Sequence, residues 1–233
     1  MSILAIPPGF VAGAAVGSLG LNALFHTVRR KSALNSEKQL AWVLTFPTCV
    51  VVTIGSIKYL AFALANGFDV TRLIYTDPFS LVLLGFFCSY LVWDLILGYM
   101  YYRSTINLLT GYIHHTLFIC MTVFAATHGV SAIFCLLFYN ELPTILLALG
   151  NLCKEWRCDK LFAITFFSTR IVLHAMLIVE FFQHSEIRFL WKLMILVMPM
   201  HLYWFYGAMR GQIKRHKLRA IQNAHQSPLY GSI

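Results

Sequence analysis

Apolar residues in this chain come in unbroken blocks, not at the spacing of an amphipathic helix or a half-buried strand. Blocks at 9–28, 40–65, 79–102, 112–127, 129–150, 160–182 and 188–209 are separated by short polar breaks. A helix needs roughly 20 apolar residues to cross the hydrocarbon core. Only helices or a closed barrel can satisfy every backbone polar group there, and barrel strands would alternate apolar and polar positions. The pattern therefore predicts an all-α membrane protein of about seven transmembrane helices. The fourth block is the shortest, and Ile106, Leu108 and Leu109 could extend it back toward Thr105. Three regions follow: 1–39 with the first helix and a basic loop, 40–210 with the remaining helices, and 211–233 as a basic tail. The first block has no basic leading region and continues for about 20 residues, which reads as a span and not as a cleaved signal.

Charge placement sets the orientation. Of 18 Lys and Arg residues, one set of breaks and the tail hold Arg29, Arg30, Lys31, Lys38, Arg103, Lys154, Arg157, Lys160, Arg210, Lys214, Arg215, Lys217 and Arg219. The opposite set holds Arg72, Arg188 and Lys192. Cytosolic loops carry the excess of Lys and Arg, so the N-terminus is expected outside and the C-terminus in the cytosol, which an odd number of spans requires. The net charge of +9 then belongs to a membrane face that meets anionic headgroups, and nucleic acid is not an expected partner. The 59% hydrophobic and 12% charged composition agrees, since a soluble domain carries about twice that share of charge. Four of the six cysteines lie in spans and read as small packing residues. Cys153 and Cys158 share a loop with no second pair to complete a zinc site, so no metal is expected.

Charged groups at mid-bilayer are costly and usually face a protein interior. Those in the spans are Lys58, Asp94, His114, His115, Glu141, Arg170, His174 and His201. At about 1.5 Å per residue, Asp94 and His201 lie about 12 Å from the cytosolic end of their spans, and Glu141 and Arg170 about 14 Å. His115 lies about 5 Å in, or deeper if its span starts earlier. A common layer on five helices predicts a polar cavity open to the cytosol. Lys58 is expected to snorkel outward. Arg170 and His174 share a helix face, with Glu141 expected as the partner of Arg170, unless the pair is purely structural. Tyr90 or Tyr99 could donate to Asp94. A histidine near neutral pKa can act as base, acid or nucleophile, although two interfacial histidines at a helix end would look the same.

At these residues the sequence resembles the TLC-domain family, the superfamily that includes ceramide synthases. Tyr-Ile-His-His (112–115) opens a span, Asn-Glu-Leu-Pro-Thr (140–144) resembles the Glu-centred segment of small TLC-domain proteins, and Phe-Phe-Ser-Thr-Arg-Ile (166–171) and Tyr-Trp-Phe-Tyr (203–206) follow in order. The resemblance runs from about residue 40 to residue 210. It implies an endoplasmic reticulum protein with a six-helix TLC bundle, the first helix standing outside it, and a His pair in a cavity where acyl-CoA delivers a fatty acyl chain to a lipid amine. Two departures stand out. Phe118 replaces the Thr that ceramide synthases carry three residues after the second His, and Phe134 and Leu137 occupy the positions of their two Asp residues. The chain thus looks closer to the small TLC-domain proteins than to ceramide synthases proper.

Two functional expectations result. One is a lipid-binding protein of sphingolipid or phospholipid homeostasis, with membrane lipids as partners and Asn140, Arg170, His174, His201 and Trp204 lining the cavity. The other is a ceramide-synthase-like N-acyltransferase with acyl-CoA as co-substrate and no resident cofactor. In it His114 or His115 would be general base or acyl acceptor, oriented by Asp94 or Glu141. A cargo receptor would work through exposed loops, and the outer loops are short. A seven-span zinc hydrolase would be expected to carry a His-x-x-x-His pair, which is absent.

Overall fold

The computed structural model describes residues 5–31, 34 and 36–226, with the side chains of Thr110, Arg219 and residues 223–226 left out. Among the described residues every regular element is helical. The α-helices are α1 (Pro8–Lys31), α2 (Glu37–Leu40), α3 (Thr45–Gly55), α4 (Ile57–Ala65), α5 (Pro78–Tyr101), α6 (His114–Thr127), α7 (Ser131–Leu137), α8 (Leu142–Leu152), α9 (Asp159–Phe166), α10 (His174–Gln183) and α11 (Leu190–Gln226). Five helical stretches among the described residues are long and apolar enough to cross a membrane: Pro8–Lys31, Glu37–Ala65, Pro78–Tyr101, Ser131–Leu152 and Asp159–Gln183. Gly111–Thr127 is a shorter apolar helix. The chain divides into two compact units, Met1–Arg157 and Cys158–Ile233.

In the first unit α1 lies along α5, and glycines set the approach. Gly9, Gly13 and Gly17 repeat every fourth residue and so share one face of α1. A Cβ at Gly13 would meet the Val82 backbone, and one at Gly17 the Ser89 hydroxyl. The converse contact comes from α5, where a Cβ at Gly85 would strike the Phe10 carbonyl. Small residues at such spacing let helix backbones approach closely where no hydrophobic effect separates helix from lipid. Gly9 faces Leu81 and Gly17 faces Phe86 and Ser89, while the Phe25 ring lies 5.5 Å from that of Tyr101. The two helices therefore run parallel. The start of α5 is fixed by a capping box. Asp77 accepts from the Ser80 N–H at 2.9 Å, the Ser80 hydroxyl interacts with the Asp77 N–H at 3.1 Å, and Pro78 occupies the first turn, where its missing N–H costs nothing. Lys58 Nζ reaches the same carboxylate at 3.2 Å and remains half exposed.

Several spans are not continuous α-helix. Between α3 and α4 the Ser56 hydroxyl donates to Thr53 O at 2.7 Å. Pro143 lacks an N–H, and the chain before it tightens into a 3-10 turn, Phe138–Glu141. Two π-helical segments, Leu108–Ile113 and Phe167–Leu173, precede α6 and α10. Pro199 sits inside α11, where it removes one backbone bond and crowds the preceding turn. Helical structure in the fourth apolar block thus begins at Leu108, before residue 112.

Candidate functional site

Most of the polar residues expected to matter lie at these breaks. Each π segment ends directly on a histidine, His114 in one case and His174 in the other. Asn140 and Glu141 fall in the 3-10 turn before Pro143. Arg170 lies within the second π segment, and His201 and Trp204 follow Pro199 by two and five positions. A π turn or an internal proline shifts carbonyls off the regular i→i−4 ladder, and inside a bilayer those groups need other donors.

In the first unit, Asp94 of α5 and His115 of α6 form the centre. His115 Nε2 lies 3.0 Å from Asp94 Oδ2, with both side chains about one-tenth exposed. The contact has ion-pair distance but not hydrogen-bond angle. His115 Nδ1 lies 3.0 Å from Gly111 O. A carbonyl only accepts, so Nδ1 carries a proton and donates to Gly111 O. Asp94 Oδ1 accepts from the Tyr102 hydroxyl at 2.7 Å, and that hydroxyl also lies 3.2 Å from Asp94 O. Tyr102 is fully buried. A buried chain of polar groups therefore runs from Tyr102 through Asp94 and His115 to the Gly111 carbonyl.

Tyr102 is the donor that the sequence reading missed. Tyr99 lies five residues from Asp94, off its helix face, and is exposed. Tyr90, four residues before Asp94, shares that face. Its hydroxyl instead donates to Thr45 Oγ1 at 3.1 Å. Tyr102 succeeds because α5 ends at Tyr101, which frees the next side chain to fold back. His114 is half-buried, its ring 4.5 Å from Phe118 and 5.4 Å from His115. Phe118, the departure from the ceramide synthase pattern, thus packs directly on the first histidine. Cys49 of α3 donates to Glu141 Oε2 at 3.5 Å. The sequence held no signal for that contact, since the residues are 92 positions apart. Asn140 is half-buried beside Glu141.

The second unit joins Arg170, His174, His201 and Trp204. His201 Nδ1 donates to Arg170 O at 3.0 Å, and His174 Nε2 donates to Met194 O at 2.9 Å. Each histidine thus serves a carbonyl near the break of the opposite helix, the π segment in one case and the turn before Pro199 in the other. The two rings meet edge to face at 4.7 Å. Arg170 is buried, with its guanidinium 5.4 Å from the ring centroids of both Phe166 and Trp204, within cation–π range. Below this cluster, Arg215 of α11 forms a two-pronged pair with Asp159 at 2.9 and 2.8 Å.

Outside the spans, burial alone would raise the Asp77 carboxyl, but the Ser80 N–H, Lys58 and Tyr59 outweigh it and hold the group below the usual range. Cys49, Cys88 and Cys135 are buried, as packing cysteines would be, whereas Cys120, Cys153 and Cys158 are exposed. Among the described residues no three His, Cys, Asp or Glu side chains gather as a metal site.

No protein-family model, no curated protein and no solved structure matches the chain.

Proposed function

We propose that this chain is a seven-span membrane protein of the small TLC-domain type, which binds a lipid or acyl chain at a polar intramembrane site and acts in membrane lipid homeostasis. The resemblance supports a location in the endoplasmic reticulum membrane, and the bias of Lys and Arg between the two sets of loops supports a luminal N-terminus and a cytosolic C-terminus. The parallel course of α1 and α5 supports the topology. Parallel spans need an odd number of crossings between them, and the single stretch Glu37–Ala65 supplies one.

One observation carries the binding reading over catalysis. Nδ1 of His115 is bonded to Gly111 O, and Nε2 is buried 3.0 Å from Asp94 Oδ2, so neither nitrogen opens onto a space for substrate. A general base needs a nitrogen within reach of the proton that it removes, and this ring presents none. The arrangement instead holds a rigid polar surface inside the membrane. The second reading is a ceramide-synthase-like N-acyltransferase using acyl-CoA, and the Asp94–His115 contact favours it as a pair in which the carboxylate would orient a base, with His114 adjacent.

The deciding experiment uses cells lacking their own ceramide synthases. Ceramide made from labelled acyl-CoA and sphingoid base is measured alongside capture of a photoactivatable sphingoid lipid. The expected result is lipid capture by the wild type, weakened in Asp94→Ala, with no ceramide formed. Labelled ceramide that appears with the wild type and vanishes in His114→Ala/His115→Ala would replace this reading with the acyltransferase.

A further inference from the structure

The last helix carries a feature that the intramembrane site does not use. α11 spans 37 residues, about 55 Å at 1.5 Å per residue, whereas a hydrocarbon core is about 30 Å thick. From Leu190, about 30 Å of helix ends near Arg210, where the sequence turns from apolar to basic. Over the next two turns Arg210, Ile213, Lys214, Lys217 and Leu218 line a shallow open groove.

At 3.6 residues per turn, these five side chains cover one face of the helix, within roughly 70° of its centre. Gln212 and Arg215 point to the other side, roughly 160° away. Those two residues are tied down, Gln212 Nε2 to Asp159 O at 2.7 Å and Arg215 to the Asp159 carboxylate. The pins to α9 therefore turn the groove away from α9. Arg215 is neutralised by Asp159, while no carboxylate pairs with Arg210, Lys214 or Lys217 among the described residues. Arg210 is exposed and its guanidinium lies 5.5 Å from the Tyr206 ring, one turn back toward the membrane. Lys214 and Lys217 are exposed, as are Ile213 and Leu218.

We propose that this face of α11 is a binding site for the phosphate headgroup of an anionic phospholipid in the leaflet that the helix leaves at Arg210. Three cations at i, i+4 and i+7 match a phosphate in charge, and the helix length puts them at headgroup depth. Ile213 and Leu218 offer apolar contact beside the cations, which a lipid can use and a free phosphate cannot. The site rests on the seven-span reading proposed above, in which α11 leaves the hydrocarbon near Arg210, and not on the intramembrane lipid site.

The test uses the full chain purified in a neutral detergent and titrated with phosphatidylserine, phosphatidylcholine or inorganic phosphate, with bound species counted by native mass spectrometry. The wild type is expected to retain phosphatidylserine in preference to the other two. In Arg210→Gln/Lys214→Gln/Lys217→Gln that affinity should fall roughly a hundredfold, about fivefold for each cation at a charged lipid surface. A control of equal charge loss elsewhere, Lys31→Gln/Lys154→Gln/Lys160→Gln, should keep it. Wild-type affinity in the α11 variant overturns the proposal. So does an equal loss in the control, or inorganic phosphate bound as well as the lipid.

Discussion

Replacing Gly85 by alanine adds one methyl group at the closest approach of α1 and α5, and its cost can be worked from the structure. The new Cβ would lie 2.9 Å from both Ala14 N and Phe10 C, and nearer still to the Phe10 carbonyl oxygen. Ordinary contact begins at 3.4 Å, so the α1 backbone must retreat by at least about 0.5 Å, a gap at which packed atoms lose about a quarter of their dispersion energy. Overpacking costs about 1–3 kcal/mol, and the upper part of that range applies because the obstacle is backbone, which cannot rotate aside. For a chain of this length each kcal/mol shifts the melting temperature by about 2–4 °C, which gives a drop of about 5–10 °C. The assay follows a thiol-reactive dye as heating exposes buried Cys49, Cys88 and Cys135, with Cys120, Cys153 and Cys158 changed to serine throughout. Gly20→Ala is the matched control, because a Cβ at Gly20 meets nothing within 4 Å, and it should melt at or slightly above the parent. An unchanged melt for Gly85→Ala, or an equal drop for Gly20→Ala, would refute the close-packing argument.

The same assay checks three further expectations. Tyr102→Phe removes the hydroxyl from Asp94 Oδ1 in a buried site and should cost about 1–3 kcal/mol, whereas Tyr99→Phe, on the exposed face, should be silent. His115→Ala leaves the Asp94 carboxylate buried without its partner and should cost about 3–5 kcal/mol. Asp94→Leu/His115→Leu removes both buried polar groups and should recover part of that loss, and a double variant no better than the single would show that the unpartnered carboxylate is not the cause. Asp77→Ala removes the cap of α5 and should cost about 1 kcal/mol near neutral pH. Because the folded Asp77 carboxyl is held below its ordinary value, its contribution is complete above the unfolded value of about 3.9 and is lost as pH falls through the lower folded one. The gap between the melts of the wild type and Asp77→Ala should therefore narrow as the pH falls below about 4, and a constant gap would contradict the assignment.

The positions of the apolar helices were legible in the sequence because lipid imposes a length and an absence of charge, both of which can be counted. Asp94, His115, Arg170, His174 and His201 were legible for the converse reason, since a polar side chain in such a block needs an explanation. Their partners were not. Neither Tyr102 nor the Gly111 and Met194 carbonyls carry any mark in the sequence: Tyr102 becomes available only because α5 ends before it, and a backbone carbonyl looks the same at every position. The glycine face of α1 was visible as Gly9, Gly13 and Gly17, but a four-residue repeat does not name the helix that it meets. Phe118 stood out as a departure from the ceramide synthase pattern, and in the structure its ring packs on that of His114.

The α1–α5 contact also has a history in time. Residues are added to a growing chain at about 5–20 per second, and Gly85 follows Gly9 by 76 positions. The open glycine face of α1 is therefore made some 4–15 s before the helix that fills it. Through that interval a small-residue stripe that attracts other helices has no partner from its own chain. Assembly depends on α5 arriving before another helix does, so a change that delays the insertion of α5 should act first on α1.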